Sequence, residues 1–452
     1  MSTQPKQWKE TTLGDVGKWG SGGTPTSTEL SYYDGDIPWI RSGDLPDGPV
    51  VQHNATITEL GLANSAAKWV PIDAILIALY GATIGKLGIT TYPVTTNQAV
   101  AYCVPETRAT SSEYLFWYLF YARPDLIALG QGGAQPNISQ TILKSHHLFL
   151  PPLGEQRRIA AKLNSLFKHS KATREELTGV PQLVERYKQA ILAAAFRGDL
   201  TEDWRDKRAK SMKNVLEEVV RARSAYFKHE GRTEKPPFAP SWRPAIQVPP
   251  VWSWASVDQL ATLVQYGTSA KTSDVLSVGV PVLRMGNIVD GNLDYRSLKY
   301  LPKTHSEFPE LLLKDGDILF NRTNSAELVG KTAVYFDTGH PTSFASYLIR
   351  IHLIEYLPEL LSAYINSGFG RDWVRSVVNQ QVGQANVNGT KLRELGVPLL
   401  PMDEQKELWS RIKKAFAAID HVANEAARAT DLLDRLDRAT LAKAFRGELA
   451  SR

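Results

Sequence analysis

The chain of 452 residues is expected to be an α+β protein made by tandem duplication. The repeating unit is a strand-rich domain followed by a long helix, and the two helices are expected to pack as an antiparallel coiled coil. Three observations predict this. Landmarks recur at one offset: Gln135-Pro-Asn137 returns as Gln384-Ala-Asn386, Pro152-Leu-Gly-Glu155-Gln156 as Pro401-Met-Asp-Glu404-Gln405, and Ala195-Phe196-Arg197-Gly198-Asp199-Leu200 as Ala444-Phe445-Arg446-Gly447-Glu448-Leu449, so that 384−135, 404−155 and 444−195 all equal 249. A repeat at that distance means two related units rather than a solenoid. Between the last two landmarks lies a helical stripe in each copy. Ahead of the stripe each copy carries short strand-like runs separated by turn clusters.

Taken in order, residues 1–150 read as the first strand-rich domain. Trp8 opens it, and turns fall at Gly20–Pro25, Tyr33–Asp36 and Asp44–Gly48. Strand-like runs are Ile37–Ile40, Ala74–Tyr80, Gly88–Tyr92 and Gln98–Val104. Ser112–Tyr121 is expected to be helical, with Ser111 or Ser112 as N-cap and Pro124 beyond its end. Residues 151–200 form the first helical region, with Ile159, Leu163, Phe167, Leu177, Leu183, Tyr187, Ile191 and Ala195 on one stripe, broken near Gly179-Val-Pro181. Residues 201–250 are a polar and proline-rich linker containing a short amphipathic helix over Met212–Tyr226, with Val215, Val219, Ala222 and Tyr226 inward.

Residues 251–400 repeat the first domain. Val280-Pro-Val-Leu-Arg284-Met-Gly286 matches Ile37-Pro-Trp-Ile-Arg41-Ser-Gly43, Ile318-Leu319 with Gly330-Lys331 matches Ile75-Leu76 with Gly85-Lys86, and Trp254 is taken as the counterpart of Trp8. Residues 401–452 are the second helical region. Leu408, Ile412, Phe416, Ile419, Val422, Ala426, Leu433, Leu436, Thr440 and Ala444 recur every three or four residues. Neither Pro nor Gly interrupts Met402–Arg446, and Gly447 supplies the stop.

The charge and motif content narrows the function. The net charge is +5, and the basic excess lies in residues 151–250, while the two large domains are slightly acidic. Bulk electrostatic binding to nucleic acid is therefore not predicted, and any DNA contact must come from local loops. The start of the chain has no apolar stretch and Ala74–Leu79 is too short to span a bilayer, so a cytoplasmic protein is expected. The one cysteine, Cys103, sits in an apolar run and is expected to be buried and inert. There is no Gly-Lys-Ser/Thr phosphate loop, no Gly-x-Gly-x-x-Gly after a strand, no Asn-Pro-Pro-aromatic tetrapeptide and no His-Glu-x-x-His. His146-His147, matched by Leu395-Gly396, reads as a strand edge rather than a metal site.

A duplicated chain without a catalytic motif, carrying Pro151–Gln156 and Ala195–Leu200 and then Pro401–Gln405 and Ala444–Leu449, resembles the specificity subunits of type I restriction–modification enzymes. Gly22-Gly-Thr-Pro25, Asn97-Gln98 and Gly316-Asp-Ile-Leu319 also fit their target-recognition domains. Two departures are Ala74, which stands where the second copy has Asp317, and Pro181, which interrupts a helix that is usually continuous. The resemblance implies a non-catalytic subunit whose two target-recognition domains each read half of a bipartite, asymmetric site in double-stranded DNA. The helix pair would set the spacer and dock two methyltransferase subunits, which use S-adenosylmethionine to modify adenine. Restriction subunits would add ATP- and Mg-dependent translocation and cleavage, with no cofactor or metal bound by this chain. The alternatives are a self-contained DNA methyltransferase or nuclease, and a coiled-coil adaptor without DNA contact.

Base edges are read by Arg, Lys, Asn and Gln on protruding loops, often beside aromatic rings. In the first domain Tyr32, Tyr33, Arg41, Tyr80, Lys86, Gln131 and Gln135 are the candidates. In the second they are Tyr266, Lys271, Arg284, Asn321, Arg322, Asn324, Gln380 and Gln381, with the cluster Asn321–Asn324 favoured. Arg41 and Arg284 occupy matching positions, which favours a shared structural or phosphate role. Glu155, Gln156, Glu404 and Gln405 fit the first turn of a helix.

Overall fold

The computed structural model describes residues 5–130, 137–207, 215–274, 279–381 and 384–449. Its main helices are α1 (Ser112–Leu129), α2 (Leu153–Thr178), α3 (Val180–Arg197), α4 (Val215–His229), α5 (Pro358–Asn366) and α6 (Met402–Phe445). They divide between two compact units, one of residues 1–179 with 426–452 and the other of residues 180–425. The units cut across the sequence repeats, because each takes its domain together with a helix from each copy.

In the first unit a five-stranded sheet runs Gly17–Ser21, Val100–Pro105, Ile75–Ala78, Leu87–Thr90, Gly48–Val50, and a second sheet runs Thr56–Ile57, Tyr33–Ile40, Thr95–Thr96. Ile75–Ala78 is buried on both faces, which is why it reads as a continuous apolar run. Its period of two still sorts the side chains. Ile75 and Ile77 pack with Tyr114, Leu115 and Leu119 of α1, while Leu76 and Ala78 pack with Ile40, Leu45 and Val50. The second unit repeats the plan. The sheet Ala261–Tyr266, Leu348–Leu353, Ile318–Asn321, Thr332–Val334 is joined by the sheet Lys299–Leu301, Val280–Leu283, Ser343–Phe344. Ile318 and Phe320 face α5, and Leu319 faces Leu283 and Phe344.

The repeated motifs form the same junction in both units. In the first, Lys9–Thr12 pairs with His147–Leu150, and the Trp8 indole donates to Glu155 at 3.3 Å. In the second, Ser253–Ser256 pairs with Gly396–Leu399, and the Trp252 indole donates to Glu404 at 3.0 Å. The counterpart of Trp8 is thus Trp252, not Trp254, which lies on the strand opposite Pro398. Tertiary placement decides between two tryptophans only two residues apart. Gln156 accepts from the Ser111 amide at 2.9 Å and donates to the carbonyls of Ala109 and Pro151, both at 2.8 Å. Gln405 likewise accepts from Leu357 N at 2.8 Å and donates to Glu355 and Leu400. Each glutamine ties the start of a long helix to the segment entering α1 or α5. Gly447 and Gly198 take left-handed φ of 80° and 87°, and a Cβ there would stand 2.3 Å from Pro5 and 2.4 Å from Pro249. The repeated Ala-Phe-Arg-Gly motif therefore closes the domain onto a helix end.

The helices correct several expectations. α6 is unbroken over 44 residues, and α2 stops at Gly179 with Pro181 in the first turn of α3. Its inward line, however, passes through Ala423 and Asp437, leaving Val422 and Leu436 each 58% exposed. In α3, Leu183 and Tyr187 are exposed and Lys188 takes the half-buried position, pairing with Asp420. A helix turning 100° per residue selects positions by geometry, and here polar groups fill some of them. Ser170 donates to Asp437, and Arg174 reaches Asp434 and Asp437 at 2.8 and 2.7 Å. α1 runs through Pro124 to Leu129 instead of ending near Tyr121. An internal proline costs about 3 kcal/mol, and burial of Ala122, Leu126 and Ile127 offsets it at about 1.5–3 kcal/mol per large aliphatic side chain. In α4 the buried positions are Val215, Val219, Arg223 and Phe227, in place of Ala222 and Tyr226, and Met212 lies outside the described residues.

Candidate nucleic-acid interface

Polar side chains able to read a base must leave the core while staying fixed. In the second unit the strand Ile318–Asn321 runs out of the sheet at Arg322. The chain continues into a small sheet of Thr323–Asn324, Gln384–Asn386 and Asn379–Gln381. Arg322 is clamped by its backbone, donating to Tyr347 O at 3.0 Å and accepting from Val387 N at 2.9 Å. Its guanidinium carbon lies 4.9 Å from the centre of the Tyr266 ring, and Nη2 is 3.4 Å from Asn386 Oδ1. The Tyr266 hydroxyl accepts from Gly389 N at 2.8 Å, which fixes the ring.

Most candidates of the second domain meet here. Asn324 is half-buried, with its side chain capping Ser325 N, and Gln380 and Gln381 lie on the outer strand of the small sheet. Asn321 is only 1% exposed and donates to Leu328 O at 3.2 Å, so its side chain faces inward. Lys271 is exposed elsewhere, and Arg284 donates to Ser297 O at 3.4 Å beside the other sheet. Tyr347, absent from the sequence candidates, is 48% exposed and sits directly across from Arg322 in the register. Nothing in its local sequence, Ala345-Ser-Tyr347, marks it.

The first domain's candidates are more dispersed. Tyr33 donates to Pro25 O at 2.6 Å and packs edge-on against Trp39, while Tyr32 lies half-buried in the preceding turn. Arg41 pairs with Asp44 at 3.5 Å. Its backbone amide bonds to Asp44 as that of Arg284 bonds to Asn287, at 2.9 Å in both, so the two arginines open equivalent turns. Tyr80 bridges Asn137, as Thr323 pairs with Asn386. Lys86 is half-buried at the close of the turn that leaves Ile75–Ala78. Gln131 and Gln135 lie outside the described residues.

Other chemistry is structural. Glu155, Gln156, Glu404 and Gln405 are at most 7% exposed and serve the junctions described above. His146 approaches the Tyr118 hydroxyl at 3.1 Å, and burial pulls its pKa below the ordinary value. His147 opens a strand beside Glu10. Cys103 is fully buried and its thiol is pushed up to about 12 by burial. Among the described residues no group of His, Cys, Asp or Glu could hold a metal ion, and no helix is long and apolar enough to cross a membrane.

Comparison with known proteins places this architecture. Residues 5–181 match the type I restriction modification DNA specificity domain. The chain is 26% identical over 436 residues to the EcoKI specificity subunit of Escherichia coli K12, covering 93% of this chain and 84% of that protein. It is 24% identical over 433 residues to the StySPI specificity subunit of Salmonella potsdam, with the same coverages. Two solved structures share the fold at 16% identity. One is a chain from a type I restriction–modification system studied for complex assembly, with a TM-score of 0.70 over 99% of this chain and 100% of that one. The other is the HsdS subunit of Thermoanaerobacter tengcongensis, with a TM-score of 0.58 over 99% and 98%.

Proposed function

The chain belongs to the specificity subunits of type I restriction–modification enzymes, and we propose that it reads a bipartite, asymmetric site in double-stranded DNA with its two domains. It is the non-catalytic, sequence-selecting component; catalysis resides in partner subunits. Each domain acts as a target-recognition head for one half-site. α2, α3 and α6 form an antiparallel coiled-coil spacer that sets the gap between half-sites and docks two methyltransferase subunits. Those subunits supply S-adenosylmethionine chemistry on adenine, and restriction subunits supply ATP- and Mg-dependent cleavage. The candidate base-reading residues named above, apart from the inward-facing Asn321, remain the proposed contacts, with Arg322 foremost.

The observation that carries this reading is the duplicated junction. Trp8, Glu155, Gln156 and Gly447 fasten one head to its helices, and Trp252, Glu404, Gln405 and Gly198 fasten the other by the same bonds. Rigid attachment is what a spacing device needs, because a loosely tethered head could not fix the distance between half-sites. The heads differ in the residues they present, so the half-sites differ. The test is selection of a random-sequence DNA library by this chain co-expressed with its methyltransferase subunit. Enrichment of two unlike short sequences at one spacing is expected. No enrichment by an assembled complex would reject the reading.

A further inference from the structure

We infer that Arg322 reads a guanine in the second half-site, held in place by Tyr266 and flanked by Tyr347, and that the first head lacks this contact altogether. The inference rests on the DNA-reading function proposed above and deepens it to one base.

Backbone hydrogen bonds define which positions of the two heads correspond. Leu79 N donates to Ala99 O at 2.8 Å and Ile138 N donates to Leu79 O at 2.8 Å; Arg322 occupies the same place between Tyr347 and Val387. Ser21 pairs with Ala101 in the first sheet as Tyr266 pairs with Ile349 in the second. The trio Tyr266, Arg322, Tyr347 therefore stands where the first head has Ser21, Leu79 and Ala99. Leu79 is 7% exposed and belongs to the core. The second head has replaced a core leucine with an arginine and placed a tyrosine on either side.

Register puts the trio on one face. Ile318, Phe320 and then Arg322 alternate onto the side facing α5, as do Ile351, Ile349 and Tyr347 on the neighbouring strand, and Tyr266 is across from Ile349. Phe320 and Ile349 are fully buried, whereas Tyr266 and Tyr347 are 44% and 48% exposed. The face thus emerges from the core at this trio.

The arginine is also uncommitted. Three other arginines of this unit are spent: Arg350 on Asp317, Gln265 and two carbonyls, Arg371 on Val329 O, Arg393 on Asp258. Among the described residues Arg322 forms no ion pair, and its one side-chain hydrogen bond is the long one to Asn386. The cation–π contact with Tyr266 at 4.9 Å holds the guanidinium in place while leaving most of its donors unused. A planar fork with free donors matches the paired acceptors O6 and N7 of guanine in the major groove.

The test selects DNA with the assembled methyltransferase complex carrying wild-type chain, Arg322→Ala or Arg322→Lys, and measures the salt dependence of binding. We expect Arg322→Ala to leave the first half-site and the spacing unchanged. It should lower the preference for guanine at one position of the second half-site roughly ten- to hundred-fold. Arg322→Lys should not restore it, because an ammonium cannot form the fork. Tyr266→Phe, which keeps the ring, should retain the guanine preference, and Tyr266→Ala should weaken it. Uniform weakening on all sequences with a smaller salt slope, rescued by lysine, would make Arg322 a phosphate contact and overturn the inference. Unchanged selection by Arg322→Ala would overturn it as well. If the wild-type complex selects no bipartite site, the underlying reading fails instead.

Discussion

Gln405→Ala is the most telling perturbation of the scaffold. Gln405 is fully buried and serves three backbone groups: the amide of Leu357 at 2.8 Å and the carbonyls of Glu355 and Leu400 at 3.1 and 2.9 Å. Truncation strands all three in an interior site. Each buried group left without a partner costs about 1–3 kcal/mol, and water entering the new space recovers part of that, so the net loss is about 3–5 kcal/mol. A folding unit of this size loses roughly 2–4 °C of melting temperature per kcal/mol, giving a fall of about 6–20 °C. Thermal unfolding followed by calorimetry measures the shift, and hydrogen exchange at the Leu357 amide locates it. The amide should lose its protection in the variant. A midpoint within about 2 °C of the parent, with Leu357 still protected, would refute the view that this glutamine clamps helix to domain. Gln156→Ala, acting on Ser111, Ala109 and Pro151, should reproduce the effect in the other unit.

Gly198→Ala and Gly447→Ala should each destabilise by more than the ~1 kcal/mol of a left-handed residue, since the new methyl also meets Pro249 or Pro5; urea unfolding checks this. Cys103 should resist alkylating reagents at pH 8 in the native protein and react once denatured, because its thiol is buried and titrates near 12; rapid native labelling would contradict the placement. His146 has a folded pKa below its ordinary 6.5 because burial disfavours the imidazolium. The unfolded chain therefore takes up a proton that the folded chain resists, so stability is full above about pH 6.5 and declines as pH falls below it. His146→Gln should flatten that slope in urea titrations between pH 7 and 5.

The length of α6, the break at Gly179 and the duplicated plan were legible because each depends on local chemistry: an absence of Pro and Gly, a helix stop, and strands buried on both faces. So was the correspondence of Ile75–Leu76 with Ile318–Leu319, since both central strands open on buried apolar residues. The candidate interface was legible only in part. Arg322, Tyr266 and Asn324 do converge, but Asn321 turns inward because successive residues on a strand face opposite sides. Tyr347 was invisible because only strand register places it across from Arg322. Trp252 rather than Trp254 joins Glu404 for the same reason: a long-range hydrogen bond selects one of two similar side chains. Sequence periodicity determines which elements form and roughly which residues are apolar. Which positions face inward, as with Asp437 in place of Leu436, and which polar groups are left over to meet a ligand, is decided when the elements pack, because that choice depends on partners far away in the chain.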